Sequence, residues 1–78
     1  MNPILNEQWS GPGFYVYDIP ESSVTAYVKK QPGEWSFFAE GSVDGIAVTL
    51  NLRKPTREEV EEAGFRVLRA LEKPGDPT

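Results

Sequence analysis

Two spacings of apolar residues divide the chain. Up to residue 53 they recur at every second position, the period of a pleated strand; from residue 56 they recur every third or fourth, the period of a helix. The strand-like segments are residues 14–17, 24–29, 35–39 and 46–53. The last is the plainest: Ile46, Val48, Leu50 and Leu52 alternate with Ala47, Thr49, Asn51 and Arg53, so one face of the sheet is buried and the other is not. Gln31-Pro32-Gly33-Glu34 reads as a turn, with Pro fixing φ at the first central position and Gly admitting positive φ at the second. Asp44-Gly45, within residues 42–45, is a second hairpin signal.

The helix is predicted over residues 56–73. Thr56-Arg57-Glu58-Glu59 has the form of a capping box, and Val60, Ala63, Gly64, Val67, Leu68 and Leu71 make one apolar stripe. Glu58, Glu59, Glu61 and Glu62 suit the positive end of its dipole; Arg66, Arg69 and Lys73 suit the negative end. Gly64 costs about 1 kcal/mol of helix propensity in mid-stripe, which a close approach to Trp35 or Phe37 would offset. Ahead of the strands, Asn2-Pro3 can cap a single helical turn with Leu5 and Trp9 on one face, ended by Ser10-Gly11-Pro12-Gly13.

These elements predict one α+β domain over residues 1–78. An antiparallel meander of four strands, or of three, occupies 14–53, with one C-terminal helix packed on one face. Residues 1–13 form an N-terminal arm and 74–78 a flexible tail. Tight turns make neighbouring strands antiparallel, and the helix must cover the apolar face because neither element can bury its stripe alone.

Composition narrows the chemistry. The chain has 78 residues, with no Cys and no His. Disulfides, the usual structural zinc ligands, and Ser-His-Asp or Cys-His nucleophiles are therefore all missing. The carboxylates of 58–62 are explained by the helix dipole. Glu40 and Asp44 flank a hairpin loop without the carboxylate density of a calcium loop. The glycines Gly11, Gly13, Gly41 and Gly45 have no strand–glycine–helix setting for a phosphate. The expectation is a non-enzyme without cofactor or metal. The first residues have neither the basic nor the apolar region of a signal peptide, and no apolar run could cross a bilayer, so a soluble cytoplasmic protein is expected.

Two surfaces could carry function. If Phe14 and Val16 face the helix, then Tyr15, Tyr17, Tyr27 and Phe38 gather on the opposite face, where such patches mark contact surfaces. The arm covers them with Ile4, Leu5 and Trp9, or another chain does, a protein partner or a second copy, or they form a base-stacking platform, which the acidic field opposes. The first strand is apolar on both sides, so a slip of one residue would exchange Tyr15 and Tyr17 for Phe14 and Val16. Phe65 lies roughly 130° from the centre of the helix stripe, and packs on the arm or anchors a partner. The second surface is basic: the ends of the second and fourth strands bring together Lys29, Lys30, Arg53 and Lys54, with Arg57 near, five of the eight basic residues. Asp18, Glu21, Glu40 and Asp44 gather at the other end.

The expected function is a small non-catalytic protein-binding module that occludes or bridges a partner, with Trp9, Tyr15, Tyr17, Tyr27, Phe38 and Phe65 as contacts. Such a compact, acidic chain resembles in type the small accessory proteins and inhibitors of phages and mobile elements, anti-CRISPRs among them, though it carries no motif of a particular family. The alternative is a nucleic-acid-binding accessory protein using the basic edge. The outline of sheet followed by helix is similar to that of integrase-type DNA-binding domains, whose sheets touch DNA through polar and basic side chains where this one presents tyrosines. A net charge of −4 repels phosphate at long range.

Overall fold

The computed structural model describes residues 2–72; Lys73 and the expected tail 74–78 lie outside the described residues. Five strands follow one another in space as in sequence: β1 (Ile4–Leu5), β2 (Phe14–Asp18), β3 (Thr25–Gln31), β4 (Glu34–Val43) and β5 (Ile46–Lys54). Every neighbouring pair is antiparallel. The helix α1 (Arg57–Glu72) packs across β3, β4 and β5. The α+β meander with a C-terminal helix is as the pattern predicts. Among the described residues, no helix is long and apolar enough to cross a membrane.

The fifth strand comes from the arm. Ile4 and Leu5 pair with Asp18 and Tyr17, and the Asn6 amide donates to the Val16 carbonyl at 2.8 Å. The expected helical turn at Asn2-Pro3 is therefore absent. A single turn closes few hydrogen bonds for the dihedrals it fixes, whereas the edge of β2 offers unpaired backbone groups. The chain then turns at Asn6–Trp9, leaving Leu5 on the helix side and Trp9 beside the other face. Leu5 and Trp9 do not share a face.

Both hairpins use the residues expected. Pro32 and Gly33 join Gln31 to Glu34, with Gly33 at φ 74°. Asp44 and Gly45, both left-handed at φ 51° and 80°, join Val43 to Ile46 as a type I′ turn does. β4 runs further than the alternation of residues 35–39 suggests, because Gly41 and Ser42 continue its pairing. Gly41 holds φ 145°, and a Cβ there would strike the Ser23 carbonyl. Ser23 and Ser42 fasten this crossing, their hydroxyl oxygens 2.8 Å apart.

The core lies between sheet and helix. Phe37, Val28 and Val60 are its largest fully buried side chains, joined by Ala26, Ala39 and Leu68. Gly64 sits directly on Phe37: a Cβ would lie 2.5 Å from the ring, so only glycine lets the helix approach this closely. Seating Gly64 there sets the helix's rotation. Val60, Gly64 and Leu68 form the buried line, while Val67 and Leu71, expected in the stripe, are 37% and 40% exposed. Phe65 turns inward instead, its ring edge-on to Tyr17 and to Phe37, both at 5.2 Å. It packs on the sheet and not on the arm. At the helix start the Glu59 amide donates to Thr56 Oγ1 at 3.2 Å, and the Thr56 hydroxyl donates to the Glu59 carboxylate at 3.0 Å.

The register of β2 corrects the sequence reading. Tyr15 pairs with Val28 and Tyr17 with Ala26, both core residues, so the two tyrosines face the helix. Phe14 and Val16 take the opposite face, with Tyr27 and Phe38. The physical reason lies in contacts distant in sequence. The Tyr17 hydroxyl bonds to Glu61 and Arg57 in the first turns of α1 and Tyr15 lies ring-on against the Arg57 guanidinium, while the shorter Val16 fits beneath the arm.

Candidate functional site on the helix-free face of the sheet

Phe14, Tyr27 and Phe38 form a row across β2, β3 and β4 on the face away from the helix. Phe14 and Tyr27 stack at 6.3 Å and 24°, Tyr27 and Phe38 at 6.2 Å and 29°. Tyr27 and Phe38 are directly paired across β3 and β4; Phe14 reaches Tyr27 on the diagonal, as aromatic side chains can. Val16, next to Tyr27 in β2, is only 5% exposed even though it is outside the main core.

The arm accounts for that burial. Ser10 Oγ donates to the Asn6 carbonyl at 2.7 Å and accepts from the Val16 amide at 3.0 Å. The Trp9 amide donates to the Asn6 carbonyl at 3.2 Å, closing the turn. This holds Trp9 beside the row, 66% exposed, across a hollow of about 430 Å³ from Phe14 and Tyr27. Val16 also lines the hollow, and Asp18, Asn6 and Thr25 complete it. The arm thus covers part of the face and leaves most of the aromatic row in contact with solvent.

Charge is banded along the strands. On one flank of the aromatic row, Lys29, Ser36 and Arg53 align across β3, β4 and β5; on the other, Asp18, Thr25 and Glu40 align across β2, β3 and β4. Arg53 makes an exposed ion pair with Glu34 at 3.5 Å. The remaining basic residues are elsewhere. Lys30, Trp35 and Lys54 align on the helix side, and the Arg57 guanidinium lies 3.6 Å from the centre of the Tyr15 ring. Lys29, Lys30, Arg53 and Lys54 share one end of the sheet but are split two and two between its faces, and Arg57 reaches β2 from the helix.

Tyr15, Tyr17 and Phe65 belong to the helix contact. Tyr15 stacks on Trp35 at 6.3 Å. The Tyr17 hydroxyl donates to Glu61 Oε2 at 2.9 Å and accepts from Arg57 Nη2 at 3.2 Å, while Arg57 Nε donates to the same Glu61 oxygen at 2.8 Å. Burial pushes the Tyr17 phenol above its ordinary pKa, and the bond to Glu61 holds Arg57 still more firmly charged. This cluster ties β2 to the first turns of the helix. Of the six aromatics expected to bind a partner, the structure brings Trp9, Tyr27 and Phe38 to one face and sets Tyr15, Tyr17 and Phe65 on the other.

Phe14 and Val16 are the residues that sequence reasoning left out of this face. The usable signal was polar: a tyrosine facing a helix whose first turns carry Arg57 and Glu61 can satisfy its hydroxyl, whereas Phe and Val have none to satisfy. Among the described residues, no three carboxylates converge as a metal ion requires. Neither a family model, nor a curated protein, nor a solved structure matches this chain.

Proposed function

We propose that this chain is a non-catalytic protein-binding module that occludes or bridges a partner polypeptide through the helix-free face of its sheet. The observation that carries the reading is the stacked row Phe14–Tyr27–Phe38 with exposed Trp9 beside it. Aromatic side chains bury on the order of 150–250 Å² each when covered. Trp and Tyr are also the types that dominate binding energy at the centres of protein interfaces. The opposite charges on the two flanks give such a contact a direction, since a partner with complementary bands docks one way round.

Occlusion needs a shaped, rigid surface and no reactive group, which suits a chain without Cys or His. It is also the mode expected of a small inhibitor or accessory protein. The split of the basic residues between two faces favours protein over nucleic acid. A phosphate backbone would meet Lys29 and the paired Arg53 on one side, with the Asp18 and Glu40 carboxylates close behind.

The test is the double substitution Tyr27→Ala with Phe38→Ala, measured against a partner captured in the presence of nuclease. The fold should persist by circular dichroism while affinity falls by at least about 2 kcal/mol, roughly 30-fold. Unchanged affinity in that variant, with loss of binding in Lys29→Glu/Arg53→Glu, would transfer the function to the basic edge.

A further inference from the structure

We infer that the hollow between Trp9 and the Phe14–Tyr27 pair receives a weakly hydrated organic cation on an alkyl stem, an arginine or N-methylated lysine side chain of the partner. The inference rests on the reading of this face as a docking surface and names what it recognises. The hollow, about 430 Å³, is in the size range of small-ligand sites. Three different aromatic residues border it, and Val16 supplies an apolar lining. Such a niche would accept many apolar groups. Its polar side is what discriminates.

Asp18 lines the hollow and, among the described residues, receives only a long side-chain hydrogen bond, 3.4 Å, from the Asn6 amide group. Among the described residues, no lysine or arginine lines it. Glu40 lies two strands away in the same cross-strand row, so the negative potential extends past the mouth. A neutral side chain seated here would desolvate Asp18 without a partner, which is unfavourable. A cation pairs with that carboxylate while the aromatic faces attract it through their quadrupoles. Guanidinium and methylated ammonium shed water more readily than the compact ammonium of lysine, so they gain more from partial burial. The molecule's charge of −4 draws cations in the same sense.

The experiment is an NMR titration of the full chain with Nα-acetyl-arginine amide, Nα-acetyl-trimethyllysine amide, Nα-acetyl-lysine amide and the uncharged tert-butyl isostere of trimethyllysine. The first two should shift the Trp9 indole resonance with dissociation constants on the order of millimolar, as expected for fragments of this size. Their ratio tells which of the two side chains the hollow prefers. Lysine amide should bind more weakly and the isostere weakest. Trp35, stacked on Tyr15 on the helix side, should stay silent. Trp9→Ala and Asp18→Asn should each weaken the cations by about 3- to 30-fold. The inference is overturned if the isostere binds as tightly as the cations, if no cation shifts Trp9, or if Asp18→Asn leaves the titration unchanged. Phe38 does not line the hollow, so Phe38→Ala should leave cation binding intact while weakening the partner. Partner loss in Phe38→Ala without cation binding sinks this inference alone. Cation binding with a partner indifferent to Tyr27 and Phe38 sinks the broader reading instead.

Discussion

Gly64 shows how one residue sets a whole packing arrangement. In an isolated helix, Gly64→Ala would stabilise by about 1 kcal/mol. Here the added methyl group would lie 2.5 Å from the Phe37 ring, and Phe37 is fully buried. The helix would have to lift, so the substitution should destabilise by about 1–3 kcal/mol in denaturant unfolding. A neutral or stabilising result would mean that Phe37 gives way without the helix lifting. Tyr17 offers a second residue-scale test. Its hydroxyl joins Glu61 and Arg57, so Tyr17→Phe should cost about 1 kcal/mol at neutral pH. The phenol's pKa is raised in the folded state, chiefly by burial. A group raised in this way stabilises fully below its unfolded pKa, ordinarily about 10, and that contribution disappears as pH rises through the higher folded value. Stability should therefore fall more steeply above pH 10 in the parent than in Tyr17→Phe. Parallel curves would show that Tyr17 ionises as freely folded as unfolded.

At the scale of elements, the hairpins and the helix were legible because their signals are local. Pro32-Gly33, Asp44-Gly45 and Thr56 through Glu59 each specify their own geometry, and the alternation from Ile46 to Leu52 specifies a face. β2 was not legible. Phe14, Tyr15, Val16 and Tyr17 offer an apolar side in either register, and the six-residue link from Ile19 to Val24 does not dictate the pairing as a two-residue turn would. The register follows instead from contacts distant in sequence, Tyr17 with Glu61 and Phe65 above all. β1 was missed for a related reason: two residues carry no period, and they become a strand only because β2 has an edge to fill. That edge yields an element-scale prediction. Deleting residues 1–9 removes the Asn6–Val16 backbone bond and uncovers Val16, which should cost roughly 1–3 kcal/mol. It should also expose β2 to strand addition, seen as self-association in sedimentation. A truncated protein as stable and as monodisperse as the parent would show that the arm contributes nothing to the fold.

The whole molecule is a two-sided object. One side of the sheet is committed to the helix, with Tyr15, Tyr17 and Phe65 filling the space between β2 and the first turns of α1. The other side carries aromatic rings between a basic and an acidic band, partly roofed by Trp9. Holding the fold falls to the first side, so the second is free to change without unfolding the domain. Accordingly, Lys29→Glu with Arg53→Glu should melt within a few degrees of the parent, since exposed ion pairs such as Arg53–Glu34 contribute about 0–1 kcal/mol. A collapse of the melting transition would mean that the basic band supports the fold. The central claim, that the helix-free face docks a polypeptide, is tested most directly by placing a photocrosslinking amino acid at position 38 or at position 66 in the native host and irradiating. Phe38 lies in the aromatic row; Arg66 lies on the exposed surface of the helix, paired with Glu62. The account predicts a discrete, nuclease-resistant protein adduct from position 38 and none from position 66. Adducts from position 66 alone, or an adduct at position 38 that nuclease removes, would contradict it.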